Sequence, residues 1–212
     1  VVDFARIAEF QIGSAQAVNF KGTLLKSKGY LDAAIDSYKQ ALKIKPDYAE
    51  AYNNIGVVFS DQGDLTASIG SYKQALKIKP DYAEAYMNMG NDVNRKGNPN
   101  LAIEIYKKVL KIKPDNAKAY YNMGIALHDK GKLNAAIDSY KSALTIKTDD
   151  TDSFSNYNRI LVQAPDISPL NGNWKQIPKT VWSYCCMITQ SIKLKDQSNF
   201  FYWVTTTHQK IA

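Results

Sequence analysis

Four asparagines recur along this chain at a constant step of 34 residues: Asn54, Asn88, Asn122 and Asn156. A carboxamide offers two N–H donors and one carbonyl acceptor, which match the N–H and C=O groups of a peptide backbone. Residue type and spacing together indicate a column of amides that can both donate and accept hydrogen bonds. The alternative is that these asparagines only solvate a polar surface.

Residues that carry catalytic or metal chemistry are sparse. His128 and His208 lack partners at ligand spacing, and the adjacent Cys185 and Cys186 form no metal-binding pattern. The sequence contains no nucleophile elbow, phosphate loop or zinc motif. We therefore expect a non-enzymatic chain that needs no cofactor. The cysteine usage favours a reduced, cytoplasmic compartment.

Composition allows a packed core and argues against a nucleic-acid partner. The 212 residues are 45% hydrophobic and 22% charged, with a net charge of +7 that is interleaved rather than clustered. Lysines such as Lys39, Lys43 and Lys73 are expected on a solvated helical face. Arginine is scarce, so the platforms that bind nucleic acid are missing. We also expect no membrane span, because no apolar run is long enough.

The chain contains an internal sequence repeat. Residues 37–52 and 71–86 both read SYKQALKIKPDYAEAY, and looser copies follow at the same displacement of 34 positions. Such a period indicates stacked units, each unable to bury its apolar face alone. In the clearest unit, Tyr52, Ile55 and Phe59 fall at helical spacing, and a second apolar stripe follows Gly63. Each unit is therefore predicted to be a helix–turn–helix hairpin.

Glycine, proline and capping residues predict where the helices end. A left-handed residue is expected just after each first helix, at Gly29, Gly63, Gly97 and Gly131. Asn98 should cap a helix that begins with a proline. Asp47 and Asp81 are predicted to cap the next helix, which is the first helix of the following unit. Prolines close three of the second helices, and Thr148 takes the proline place in the fourth, so that helix is expected to fray or extend.

Glycine also recurs in the middle of each first helix, where it costs about 1 kcal/mol relative to alanine. The four positions are Gly22, Gly56, Gly90 and Gly124. A cost repeated in every unit predicts close approach of another surface. The small residues expected to form that surface are Ala34, Ser68, Ala102 and Ala136.

The spacing Tyr52-x2-Ile55-Gly56-x2-Phe59, followed by Ser68-x3-Tyr72 and Pro80, resembles the tetratricopeptide repeat, or TPR. The resemblance implies an all-α fold, a right-handed α-solenoid of four helix-turn-helix units plus a capping helix. The units are 15–48, 49–82, 83–116 and 117–150. Residues 1–14 are expected to be a partial N-terminal helix left from a preceding helix, and residues 151–164 the capping helix.

Residues 165–212 differ in composition from the repeats. They contain Trp174, Trp182 and Trp203, and their strand-forming runs suggest a β-hairpin. Two other interpretations stay open: the start of a truncated domain, and a non-native or partly disordered end.

In the TPR family the first helices line a concave groove, and the asparagine column resembles the ladder by which O-GlcNAc-transferase-like proteins hold an extended peptide. The resemblance implies that the same helices form the binding site here. Candidate contacts beside the ladder are Asn53, Met87, Tyr121, Asn91, Asn94, Arg95 and His128. The family clamp for acidic C-termini is disfavoured, because its first basic position is occupied by asparagine or methionine.

The sequence thus favours a protein–protein interaction scaffold that binds an extended peptide or a partner helix in the groove. The alternative is a substrate-recognition segment of a larger TPR-fused transferase, for example a glycosyltransferase. Self-association is a further possibility.

Overall fold

The computed structural model describes residues 4–153 and 155–157, with side chains from residue 14 onward. The first helices of the four hairpins are α1 (Phe4–Ser27), α3 (Ala49–Asp61), α5 (Ala83–Arg95) and α7 (Ala117–Asp129). The second helices are α2 (Leu31–Ile44), α4 (Leu65–Ile78), α6 (Pro99–Ile112) and α8 (Leu133–Ile146). Residues 151–153 and 155–157 are helical as well.

The hairpins stack in chain order. Each first helix contacts the second helix of its own hairpin, and each second helix contacts the first helix of the next hairpin. The core lies in these seams. One cluster joins Ala34 and Tyr38 of α2 to Ile55 and Val58 of α3. This arrangement confirms the all-α solenoid, because each hairpin buries its apolar face only against its neighbours.

A buried tyrosine fills the space that each mid-helix glycine leaves. A Cβ atom on Gly56 would lie 2.5 Å from Cε1 of Tyr72, a ring that is 1% exposed. The same relation links Gly22 to Tyr38, Gly90 to Tyr106 and Gly124 to Tyr140. The prediction of a close approach is confirmed, but its partner was wrong. The ring of the second helix meets the glycine, because the small side chains of that helix are too short to reach it.

The turns between paired helices follow the glycine prediction. Gly29, Gly63, Gly97 and Gly131 all have positive φ, between 73° and 85°. Glycine adopts this left-handed conformation without the steric cost that a Cβ atom would impose. The backbone N–H of the residue that follows each glycine then bonds a carbonyl in the last turn of the first helix, as Asp64 N does with Phe59 O at 2.9 Å.

The predicted caps are only partly correct. Asn98 accepts a hydrogen bond from Leu101 N at 3.1 Å, and α6 begins at Pro99 as predicted. Asp47 and Asp81 do not cap, because α3 and α5 begin two residues after them. Their N-cap positions are Tyr48 and Tyr82, which make no side-chain cap. A capping side chain must stand on the N-cap residue to reach the free N–H groups.

Two helix ends differ from expectation. Helix α8 ends at Ile146, the same place as its counterparts, although Thr148 replaces proline. Lys147 N bonds Ala143 O at 2.9 Å, so the same terminal hydrogen bond closes the helix without proline. Helix α1 is continuous from Phe4 to Ser27, so residues 4–14 extend the first hairpin instead of belonging to a separate preceding helix. Gly13 alone costs too little to interrupt it.

The residues after α8 begin the predicted capping helix. Ser153 and Tyr157 are buried, at 0% and 2% exposure. The predicted β-hairpin and the rest of the tail lie outside the described residues. Among the helices of the described part, none combines the length and apolarity that a bilayer crossing needs.

Candidate functional site: an asparagine ladder on the first helices

The four asparagines of the column, which we call the ladder, lie half-buried on one face of the first helices and of the capping residues. We call this face, lined by α1, α3, α5 and α7, the first-helix face. Every ladder side chain donates a hydrogen bond from Nδ2 to the preceding repeat. The ladder is therefore a set of rungs that join consecutive repeats, and the column predicted from the spacing is a physical column in the structure.

Three rungs end on the residue that lies 35 positions earlier. Asn54 Nδ2 lies 3.2 Å from Asn19 Oδ1, and Asn88 Nδ2 lies 3.2 Å from Asn53 Oδ1. Asn156 Nδ2 lies 3.0 Å from the Tyr121 hydroxyl. The acceptor side chains therefore follow the same 34-residue period as the ladder, one position before it.

The rung at Asn122 uses a different acceptor. The equivalent position is Met87, whose sulfur lies 4.0 Å from Asn122 Nδ2 and is a weak acceptor. The short bond goes instead to Asn91 Oδ1, at 2.7 Å. Asn91 also accepts from the Tyr106 hydroxyl at 2.9 Å, so it connects the ladder to the tyrosine core.

Among the predicted contacts beside the ladder, two side chains are buried and two are half-buried. Asn53 and Met87 are 1% and 8% exposed, so each reaches a ligand only through the ladder side chain that it supports. Tyr121 and Asn91 are half-buried and lie against Asn156 and Asn122.

A second row of polar contacts joins the same helices two turns further along. It pairs Lys26 with Asp61 at 3.3 Å and Ser60 with Arg95 at 2.8 Å. Asn94 Nδ2 and Asp129 Oδ2 follow at 3.5 Å. These pairs again span 35 residues. His128 is partly buried, with Nδ1 3.8 Å from Asp129 Oδ1. Of these three pairs, Lys26–Asp61 joins opposite charges, and the other two each join a charged side chain to a neutral one.

A buried carboxylate interrupts the apolar seam between the second and third hairpins. Asp92 is 2% exposed and accepts from Ser60 Oγ at 2.7 Å, Ser68 Oγ at 2.6 Å and Arg95 at 3.0 Å. Arg95 itself is half exposed, so its charge is held at the rim of the seam. Charge-assisted bonds of this kind offset the cost of burying a carboxylate.

The acidic cluster also affects the tyrosines beside it. Burial raises the pKa of Tyr72 far above its usual range, and the charges of Asp92 and Asp61 raise it further, against a smaller opposing effect of Arg95. Burial, with Asp92, raises the pKa of Tyr106 in the same way. These phenols therefore stay protonated and act as hydrogen-bond donors, as Tyr106 does toward Asn91.

Two features were not predicted from the sequence. One is the buried Asp92, and the other is that residues one position before the ladder orient its amides by accepting their Nδ2 hydrogen bonds. A signal for Asp92 was present, because the residues at the equivalent places are Val58 and Ala126, so a single charge stands in an apolar column. Ser68 likewise stands alone among alanines. The coincidence of two polar exceptions at facing positions indicates a bonded pair.

No group of three or more histidine, cysteine, aspartate or glutamate side chains within the described residues is placed to hold a metal ion.

Family comparison agrees with the repeat geometry. Models of the TPR repeat match residues 22–63, 58–97 and 90–131, and a tetratricopeptide repeat model matches residues 117–150. These matches cover more than half of the chain, so the chain belongs to the tetratricopeptide-repeat family. Arrays of this family are protein-interaction scaffolds, typically without catalysis, and this gives the chain a general protein-binding role.

Solved TPR structures share the fold. A crystal structure of MamA protein is 21% identical, with a TM-score of 0.69, and the alignment covers 86% of this chain and 98% of that one. YrrB, described as a TPR protein with an unusual peptide-binding site, is 18% identical with a TM-score of 0.61, covering 84% and 88%. PilF of Pseudomonas aeruginosa is 17% identical with a TM-score of 0.68, covering 74% and 71%. No curated protein matches the chain.

Proposed function

We propose that this chain binds an extended peptide on the first-helix face and holds it by its backbone through the ladder. The observation that carries the proposal is the free acceptor of the rungs. Within the described residues, the Oδ1 atoms of Asn54, Asn88 and Asn122 accept no hydrogen bond from the protein, while their Nδ2 atoms are anchored. An anchored amide with a free carbonyl is oriented in advance to accept a peptide N–H.

The spacing of the rungs fits an extended chain. Packed helices lie about 8–10 Å apart, and an extended peptide advances about 3.3 Å per residue. One rung would therefore meet roughly every third peptide residue, and four rungs would span about ten. Because the contacts go to the backbone, sequence preference should be weak. At about 0.5–1.5 kcal/mol for each bond, micromolar affinity is expected.

Any preference for a particular peptide sequence would come from the side chains beside the ladder. Val57 and Ile125 are half-buried in the same column as Asn91, so apolar and polar surfaces alternate beside the ladder. Arg95, held by Asp92 and Ser60, offers a guanidinium at the rim. YrrB, which shares the fold, is described as having an unusual peptide-binding site, and this supports peptide binding in general but not the ladder itself.

The test begins with selection of peptides from a random library of about twelve residues displayed against the whole chain. Affinity of an enriched peptide is then measured by fluorescence anisotropy with the Asn88→Ala/Asn122→Ala variant. Loss of two rungs should weaken binding about tenfold to a hundredfold.

The matched control is Asn100→Ala/Asn134→Ala, which removes two exposed asparagines from the second helices α6 and α8. It should bind as the natural chain does. Circular dichroism and urea unfolding confirm that both variants are folded. Equal affinities for the two double variants would refute the ladder as the binding element.

A further inference from the structure

We propose that the second helices bind an anionic membrane surface through a band of lysines, separately from the ladder on the first helices. The lysine band comprises the C-terminal half of each second helix with the cap residue that follows it. These four segments contain twelve lysines and no aspartate or glutamate. They are residues 39–45, 73–79, 107–113 and 141–147.

The fold concentrates positive charge on one set of helices. The second helices and their cap residues carry the twelve lysines of the band against four acidic residues, all of which precede the band in their own helix. Those four are Asp32, Asp36, Glu104 and Asp138. The first helices, from residue 14 onward, carry four basic and five acidic residues. A partner that approaches the second helices therefore meets a strongly positive surface.

The charge of the band is accessible to such a partner. Ten of the twelve lysines are exposed and two are half-buried. Among the described residues, ion pairs hold only two of them, with Lys107 Nζ 2.9 Å from Glu104 and Lys79 Nζ 3.8 Å from Glu50. Both pairs lie at the surface, where an ion pair contributes little. Most of the positive charge is thus not neutralised within the repeats.

The band is unfavourable for the isolated helices. Lys39 and Lys43 lie four residues apart, so their ammonium groups are neighbours on one helix face, and the same spacing recurs in α4 and α6. Like charges at this spacing destabilise a helix. One cation in the last turn would already complement the helix dipole, so helix stability does not account for three or four lysines in each of these helices. An anionic partner would replace this repulsion by attraction.

The composition of the band favours an anionic bilayer over nucleic acid. All twelve cations are lysine, whereas nucleic-acid sites combine arginine with aromatic side chains that stack on bases. The tyrosines of the second helices are buried and offer no such platform. A lysine ammonium is a point charge on a flexible stem, and clusters of lysine are attracted by the negative potential of anionic lipids.

Two isoleucines within the band support the same choice. Ile78, between Lys77 and Lys79, is 37% exposed, and Ile146, beside Lys147, is 42% exposed. Apolar side chains next to basic ones add contact with the boundary between headgroups and acyl chains of a bilayer. The phosphate backbone of a nucleic acid offers no equivalent apolar partner.

Co-sedimentation with vesicles tests the proposal on the whole chain. The vesicles contain phosphatidylcholine with about one third phosphatidylserine, and pure phosphatidylcholine is the neutral reference. We expect binding to the anionic vesicles only, at least about tenfold weaker in about 1 M salt than in about 0.1 M salt, because salt screens the attraction. Absence of binding to the anionic vesicles, or equal binding to the neutral ones, would overturn the proposal.

A matched pair of variants distinguishes the band from net charge. Lys73→Gln/Lys77→Gln/Lys111→Gln removes three band lysines and should weaken vesicle binding by about a hundredfold. Lys96→Gln/Lys130→Gln/Lys132→Gln removes the same charge from exposed lysines in the turns that precede the second helices, and should have a much smaller effect. Circular dichroism checks that both variants are folded. Equal losses in the two variants would refute the band as the binding surface.

Two further measurements separate the alternatives. A fluorescent DNA duplex is titrated at the same salt concentration, and tighter binding to the duplex than to the anionic vesicles, compared per phosphate, would overturn the choice of a membrane. The Asn88→Ala/Asn122→Ala variant should bind vesicles as the natural chain does, since the ladder lies on the first helices. Loss of vesicle binding in that variant would count against the band, while loss of peptide affinity alone concerns only the ladder.

Discussion

Ser68 Oγ lies 2.6 Å from Asp92 Oδ2 across the seam between the second and third hairpins, and both residues are almost fully buried. One repeat earlier, the same two positions are Ala34 and Val58, which are part of one apolar cluster. The molecule therefore contains a polar and an apolar version of a single interface. The difference between the two interfaces isolates the effect of the buried carboxylate on the free energy of unfolding.

A double-mutant cycle tests this relationship. We expect Ser68→Ala to lower the free energy of unfolding by about 1–3 kcal/mol, because it removes a donor from a buried carboxylate. In contrast, Ser68→Ala/Asp92→Val recreates the Ala34–Val58 pair and should restore stability to that of the natural chain or above it. Urea unfolding followed by circular dichroism measures both. If the losses of Ser68→Ala and Asp92→Val simply add in the double variant, the two residues are not coupled.

The tyrosine–glycine contact predicts opposite effects for two glycine-to-alanine changes in one repeat. Gly56→Ala places a methyl 2.5 Å from Cε1 of Tyr72, and should cost about 1–3 kcal/mol through overpacking. Gly70→Ala lies in α4 with no atom within 4 Å of the new methyl, and should gain up to about 1 kcal/mol through helix propensity. Thermal and urea unfolding distinguish the two variants. A gain of stability in both would contradict the ring contact.

Stability should fall at high pH because of the buried phenols. Burial, and then the charge of Asp92, raises the pKa of Tyr106, so the folded chain retains a proton that the unfolded chain loses near pH 10. The stabilisation is complete below pH 10 and declines as pH rises above it, by at most about 1.4 kcal/mol per pH unit for one group.

Tyr106→Phe is the control for this effect. It removes the titrating group, so its free energy of unfolding should depend less steeply on pH above 10, although its stability at neutral pH also drops with the loss of the bond to Asn91. Urea titrations at a series of alkaline pH values, at constant ionic strength, give both slopes. Identical slopes would show that Tyr106 does not hold its proton in the fold.

Much of the fold could be read from the sequence, because its determinants are local. The glycine that ends each first helix needs only its own φ angle, and Asn98 caps a helix that starts at the next residue. The caps predicted at Asp47 and Asp81 were wrong by one residue, because the N-cap positions are Tyr48 and Tyr82. Such boundaries depend on packing of the whole hairpin.

Of the candidate site, only the alignment of the ladder asparagines in a column could be predicted from the sequence. The step of 34 residues places Asn54, Asn88 and Asn122 at equivalent points, because repeats that stack identically align their residues. The orientation of each amide was not predictable. The oxygen and nitrogen of a carboxamide can exchange places by rotation, and only a hydrogen-bonding neighbour favours one orientation. That neighbour lies 31 or 35 residues away.

The sequence by itself determined the helical hairpins, their turns and the alignment of the asparagines, because period, glycine conformation and apolar spacing act within one repeat. Only the tertiary structure decided which atoms of the ladder remain free, which ring meets each glycine, and that Asp92 is buried. These outcomes depend on how one hairpin seats against the next, where distances of a few tenths of an ångström separate a hydrogen bond from a clash.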